Sequence, residues 1–229
     1  MLDKRRFYIN GQWVNPVAGR DLEVIDPSTE EPCAVISLGG TADSDAAVAA
    51  ARAALPAFME TPPADRKALV ERILEVYKRR NDEMGAAISL EMGAPIDMAK
   101  SSQATSGTWH IENFLRAFDQ IEFEAPLSER AQEDRIIKEA VGVCALITPW
   151  NWPMNQVTLK VIPALLAGCT MVLKPSEIAP LSSMLFAEIL DEAGVPPGVF
   201  NLVNGDGPGV GTDLSGHPDV DMVSFTGST

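Results

Sequence analysis

Histidine and cysteine are scarce in this chain: two histidines and three cysteines among 229 residues. The cysteines, Cys33, Cys144 and Cys169, are odd in number and share no Cys-x-x-Cys spacing. Neither a disulfide framework nor a metal site is therefore expected. Cys144 and Cys169 lie in apolar runs, which suits buried thiols in a reducing compartment. Basic residues are in deficit too: 18 Lys and Arg against 32 Asp and Glu leave a formal net charge of −14. Such a surface is repelled by phosphate backbones and anionic lipid, so neither nucleic acid nor membrane is expected as a partner. No apolar run reaches the roughly 18 residues that a transmembrane helix needs. The charged Met1–Arg6 leads into a strand-and-turn pattern, Tyr8-Ile9-Asn10-Gly11, rather than a signal-peptide core. The expected compartment is the cytoplasm.

What remains is ordinary globular composition, 46% hydrophobic and 22% charged, with enough apolar mass for a sizeable core. From Phe7 to Ser37, short apolar stretches alternate with the turns Asn10-Gly11, Asn15-Pro16 and Asp26-Pro27, which predicts short strands and hairpins. An alanine-rich helix is expected from Thr41, capped by Thr41 or Asp43. A second follows Thr61-Pro62-Pro63, with Leu69, Ile73 and Tyr77 on one face. A third spans Asn81 to Met92 and stops at Gly93. A fourth spans Ile96 to Phe118 and weakens at Ser106-Gly107. The charged stretch from Gln120 to Lys138 predicts an exposed strand pair.

The pattern then becomes regular. Val141–Ile147 is an unbroken apolar run, as expected for a strand buried on both faces. Strands at Thr170–Lys174, Val199–Val203 and Val220–Phe225 alternate with helices at Trp152–Ala167, Leu181–Ala193 and Gly209–Leu214. This alternation predicts an α/β fold with a doubly wound parallel sheet. Ligands of such sheets bind at the carboxyl ends of the strands. Four ends are legible: Thr148-Pro149-Trp150-Asn151, Lys174-Pro175-Ser176-Glu177, Asn204–Gly211 and Thr226-Gly227-Ser228-Thr229. The third fails the G-x-G-x-x-G pattern because Val210 stands where its last glycine would be. Lys174 and Glu177 can set an ammonium and a carboxylate against the hydroxyls of one ribose. Asn151 reads equally as a helix N-cap or as an amide donor to a developing oxyanion.

These residues carry a resemblance. Ile147-Thr-Pro-Trp-Asn-Trp-Pro153, Ala167-Gly-Cys-Thr-Met-Val-Leu-Lys-Pro-Ser-Glu177, Gly194-Val-Pro-Pro-Gly-Val-Phe-Asn-Leu-Val203 and Ser224-Phe-Thr-Gly-Ser-Thr229 resemble the NAD(P)-dependent aldehyde dehydrogenase superfamily. With Tyr8-Ile-Asn-Gly-Gln-Trp13, the likeness extends over essentially the whole chain. It implies a Rossmann-like nucleotide domain, an oligomerisation hairpin, and assembly as a homodimer or homotetramer. Residues 1–119 would form the N-terminal hairpins and helices, 120–138 the hairpin arm, and 139–229 the βαβ core. The implied substrate is a small aldehyde, oxidised to the carboxylic acid.

By the same resemblance Asn151 donates to the oxyanion, while Ile147, Thr148, Pro149 and Trp150 line the cofactor. Lys174 and Glu177 hold the adenosine ribose, with Pro175 and Ser176 between them. Gly207 and Gly211 allow close approach of the adenine side, and Gly227 and Ser228 meet the pyrophosphate. Lys160 matches a lysine for which either a proton relay or a buried structural pair is implied. The carboxylate of Glu177 would repel a 2′-phosphate, so NAD is expected over NADP. The family's nucleophilic cysteine and glutamate base lie beyond position 229. Cys33, Cys144 and Cys169 are expected to be structural, and the 229 residues alone to have no dehydrogenase activity.

Overall fold

Short strands do open the chain. The computed structural model describes residues 1–227, and in it β1 (Leu2–Lys4), β2 (Phe7–Ile9), β3 (Gln12–Val14), β4 (Arg20–Asp26) and β5 (Glu31–Leu38) precede the first helix. Asn10 and Gly11, at φ 52° and 75°, make the tight turn between β2 and β3. Strands β1, β5 and β4 form a small sheet of their own.

Helices α1 (Thr41–Met59), α2 (Pro63–Arg79) and α3 (Asn81–Met92) follow as expected. The cap of α1 differs from expectation: Gly40 holds the N-cap position, and Asp43 caps from inside by accepting the Gly40 N–H at 3.1 Å. The fourth helix is also different. It is split into α4 (Ile96–Met98), a π-helical segment (Ala99–Ala104) and α5 (Thr105–Phe118). Its irregularity thus precedes Gly107, which is a packing contact: a Cβ there would lie 2.4 Å from the Tyr77 hydroxyl. That hydroxyl donates to the Ala104 carbonyl at 2.7 Å, tying down the end of the wide turn.

Strands β6 (Glu124–Ser128) and β7 (Ala131–Ile137) form an exposed antiparallel pair that belongs to no larger sheet among the described residues. Next come β8 (Val143–Ile147), α6 (Pro153–Ala167), β9 (Thr170–Lys174), α7 (Leu181–Glu192) and β10 (Phe200–Leu202). The expected helix at 209–214 is instead a π-helical turn (Gly207–Gly211) running into α8 (Thr212–Gly216), before β11 (Met222–Phe225). Strand β8 starts later than its apolar run because Gly142 sits at φ 127°. The Asp221 carboxylate takes the Val143 N–H there at 2.7 Å.

The main sheet has the order β11-β8-β9-β10-β2-β3. Its first four strands are parallel, and the β2–β3 hairpin extends it antiparallel. Side chains alternate between two cores. Val143, Ala145 and Val172 pack with Ala47, Val48 and Ala51 of α1. Cys144, Leu146, Met171 and Leu173 face the opposite cluster, which holds α2, α5, α6 and α7. Helices therefore cover both faces, and the parallel part is doubly wound.

Candidate functional site

The strand order locates the site. The chain steps from β8 to β9 to β10 in one direction, then returns to place β11 on the other side of β8. The crevice at such a reversal, outside the carboxyl ends of the strands, is where ligands of open α/β sheets bind. Phe225 pairs with Ile147, and Ile147 with Lys174, so three strand ends stand in one row. The turn carrying Asn151 leaves β8 on that row, and Thr226-Gly227 leaves β11 beside it.

Ile147 and Thr148 are buried and tied into the rim. The Ile147 carbonyl accepts from the Thr226 N–H at 3.1 Å, and the Thr148 N–H donates to the Lys174 carbonyl at 3.2 Å. Pro149 is half-buried, whereas Trp150 and Asn151 are exposed at the mouth of the crevice. The two readings of Asn151 now separate. The N-cap position of α6 is held by Trp152 at φ −146°, and Pro153 supplies the preset first turn. No hydrogen bond engages the Asn151 side chain among the described residues, so its amide is not spent on capping.

Lys174 ends β9 with its side chain only 5% exposed, and its Nζ lies 3.1 Å from Glu177 Oε2. A nearly buried ammonium is tolerable because the carboxylate sits against it. Glu177 keeps 31% of its side chain exposed, leaving lone pairs for a ligand. Pro175 and Ser176 between them are buried, and Ser176 Oγ accepts the Ile178 N–H at 3.3 Å. The serine shapes the loop, and of the polar pair only Glu177 reaches the surface.

The glycine loop is shaped from within. Gly207 is exposed with open space around it, and Gly211 is buried. The sterically required glycine is Gly205, where a Cβ would stand 2.4 Å from Val210 Cγ2. The turn is organised by Asp206, which accepts the Gly209 N–H at 2.7 Å and pairs with Arg20 at 2.8 Å. Gly227 is exposed and packs against the Phe225 ring, while Ser228 lies outside the described residues.

Lys160, on α6, donates to Ser224 Oγ of β11 at 2.8 Å, and burial lowers its pKa. This part-buried contact ties α6 to β11. Cys144 and Cys169 are both buried on the same face of the sheet, and their mutual influence raises the Cys144 thiol and lowers that of Cys169. Cys169 precedes β9, so it lies roughly 16 Å of strand from Lys174 at about 3.3 Å per residue. This thiol pair belongs to the opposite rim. Cys33 is half-buried and donates to the Val24 carbonyl at 3.2 Å.

Sequence reading missed Glu91. It is buried at the end of α3, and its carboxylate accepts the N–H groups of Leu181, and of Ser182 at 3.1 Å. One signal was available: an acid in the last turn of a helix opposes the helix dipole and calls for an external partner. It also missed the His110–Asn155 contact, 2.6 Å, which joins α5 to the first turn of α6.

Comparison with known proteins points to a family. The sequence profile described as the aldehyde dehydrogenase family matches residues 13–229. A 3-succinoylsemialdehyde-pyridine dehydrogenase from a Pseudomonas species is 52% identical, over 100% of this chain and 47% of its own length. The crystal structure of an aldehyde dehydrogenase from Bartonella henselae superposes with a TM-score of 0.98 at 61% identity, over 100% of this chain and 48% of that one. Aldehyde dehydrogenase C from Pseudomonas syringae, solved with NAD+ and octanal, gives 0.92 at 46% identity, over 96% and 44%. The chain thus spans about half the length of the relatives it matches.

Proposed function

Because this chain belongs to the aldehyde dehydrogenase family, we propose that it forms the N-terminal, NAD-binding part of an enzyme that oxidises an aldehyde to a carboxylic acid. The observation that carries the reading is the row of strand ends at the topological switch, with the Lys174–Glu177 pair on one side and a free Asn151 amide on the other. The donor set fits a dinucleotide. Lys174 and Glu177 offer a donor and an acceptor to a ribose diol, and Trp150 offers an exposed indole face. Bound NAD would supply a hydride acceptor. Asn151 would donate to the oxygen of the attacked aldehyde, in the manner of an oxyanion hole. Ile147, Thr148 and Pro149 would form the floor, with Gly207, Gly211, Gly227 and Ser228 at the phosphate and adenine side.

Residues 1–119 and 139–229 serve, in this reading, as the nucleotide-binding domain and 120–138 as the arm of a homodimer or homotetramer. Exposed Leu127, Ile136 and Ile137 on that hairpin support the arm. Three free cysteines support a cytoplasmic location. None of these cysteines stands on the cofactor rim, so the nucleophile and the general base are assigned to residues beyond 229. The test compares the 229-residue chain with the full-length protein in an NADH absorbance assay on a reactive aldehyde. Turnover by the longer protein alone is expected. Turnover by the 229-residue chain would overturn the assignment of the nucleophile, and NAD binding without turnover by the longer protein would leave a nucleotide-binding protein instead.

A further inference from the structure

Helix α7 follows directly from the loop that carries Glu177, yet it has no cap of its own. Pro180 occupies the N-cap position and has no side-chain acceptor. The hydroxyls of Ser182 and Ser183 in the first turn are buried without hydrogen-bond partners. The first free backbone donors of the helix, the N–H groups of Leu181 and Ser182, both go to Glu91, which comes from the end of α3, ninety positions earlier in the sequence. Glu91 is 1% exposed and takes part in none of the ion pairs formed among the described residues. A buried carboxylate held only by backbone donors is costly to keep, and it is matched here to the positive end of a helix dipole.

The loop between β9 and α7 is short and fixed at both ends. At one end Lys174 is hydrogen-bonded into the sheet rim; at the other, Leu181 and Ser182 are held by Glu91. Pro175, Ala179 and Pro180 are buried, so the loop has little freedom to absorb a displacement of α7. Glu177 stands four residues before Leu181. We infer that Glu91 is a positioning residue for cofactor recognition: by capping α7 from a distance, it fixes where Glu177 stands relative to Lys174 and so sharpens the choice between a free and a phosphorylated ribose 2′ position. Glu91 touches no ligand in this arrangement and acts only through the loop.

The inference rests on the ribose reading of Lys174 and Glu177, and its test separates the two. Dissociation constants for NAD and NADP are measured by calorimetry at about pH 8.5, where the Glu91 carboxyl is ionised, on the full-length protein and on Glu91→Gln, Glu91→Asp and Glu177→Gln, with the melting temperature of each. Glutamine keeps the shape and one acceptor but cannot serve both donors as a carboxylate does. The NADP-to-NAD ratio of dissociation constants is expected to shrink at least threefold in Glu91→Gln and to recover toward the parent value in Glu91→Asp, which retains the charge. A merely structural cap would alter the melting temperature while leaving the ratio where it was; that result in Glu91→Gln and Glu91→Asp overturns the inference. An unchanged ratio in Glu177→Gln overturns the ribose reading itself, whatever the Glu91 variants do.

Discussion

Replacing Glu177 by glutamine changes one charge and almost no volume, which makes it the sharpest perturbation of the proposed ribose contact. In the parent, a 2′-phosphate placed where the ribose hydroxyl meets Glu177 would bring two anions to within about 4 Å. Unit charges at that distance repel by about 4 kcal/mol at an effective dielectric of 20, and by about 1 kcal/mol in water. Glu177 is 31% exposed, which places it between those limits. The Lys174 ammonium, 3.1 Å from the carboxylate, would return part of the cost by attracting the phosphate. A net penalty of about 2 kcal/mol follows, or roughly a thirtyfold preference for NAD over NADP. Glu177→Gln removes the repulsion and leaves Lys174 without its counter-charge, so NADP should gain about tenfold or more while NAD loses only one charge-assisted hydrogen bond. Calorimetric titration with both cofactors measures this. Raising the salt should shrink the parent's discrimination, because the screening length contracts. A parent that prefers NADP, or a glutamine variant with the parent's ratio, would refute the electrostatic account.

Three further outcomes are expected. In the full-length enzyme, Asn151→Ala should lower kcat by roughly ten- to a thousandfold, as for loss of one oxyanion donor, with NAD affinity little changed; steady-state kinetics with binding data check it. Gly205→Ala should destabilise the fold by about 1–3 kcal/mol through the Val210 clash, whereas Gly207→Ala, which meets open space, should leave the denaturation midpoint unmoved. Burial pushes the Glu91 carboxyl up to about 7, above its unfolded value of about 4.3. The folded state therefore binds this proton more tightly, so its contribution is present below pH 4.3 and lost as pH rises to 7. Relative to Glu91→Gln, parent stability should fall by about 3 kcal/mol across that window, read from denaturation curves at a series of pH values.

Much of the architecture was written locally. Strands β8, β9 and β10 are buried along their length, β8 reads as a continuous apolar run, and Gly168 at φ 84° ends α6 where the sequence suggested a stop. The π-helical segments were not legible, because widening a turn at Ala99–Ala104 answers to contacts such as Tyr77 with Ala104 rather than to any local pattern. The two readings of Asn151 were undecidable for a similar reason. Whether a residue caps a helix depends on which backbone enters the first turn, and a one-residue offset, with Trp152 at the cap, frees the asparagine. The position of Glu91 in the last turn of α3 signals a need for an outside partner, but which partner is not legible, because the two donors lie ninety positions away and are backbone amides, which carry no residue identity.

The strand order was the least legible feature and is the one on which the site depends. Each parallel connection from β8 to β10 needs only an adjacent strand and a covering helix, and the sequence announces both. Nothing in the run Asn204–Pro218 announces that β11 returns past β9 to the far side of β8. Packing explains the return. Val210 and Leu214 join the cluster containing Val143, Ala145, Ala47 and Ala51, so the segment after β10 is drawn across the α1 face toward β8. Arg52 then pairs with Asp221 at 2.8 Å, and Asp221 takes the first amide of β8. These contacts fix β11 at its amino end, in register with β8, and the register carries Phe225 to Ile147 at the other end. The crevice at the carboxyl rim is thus set by apolar and ionic contacts on the opposite rim, made by residues that would never touch the cofactor.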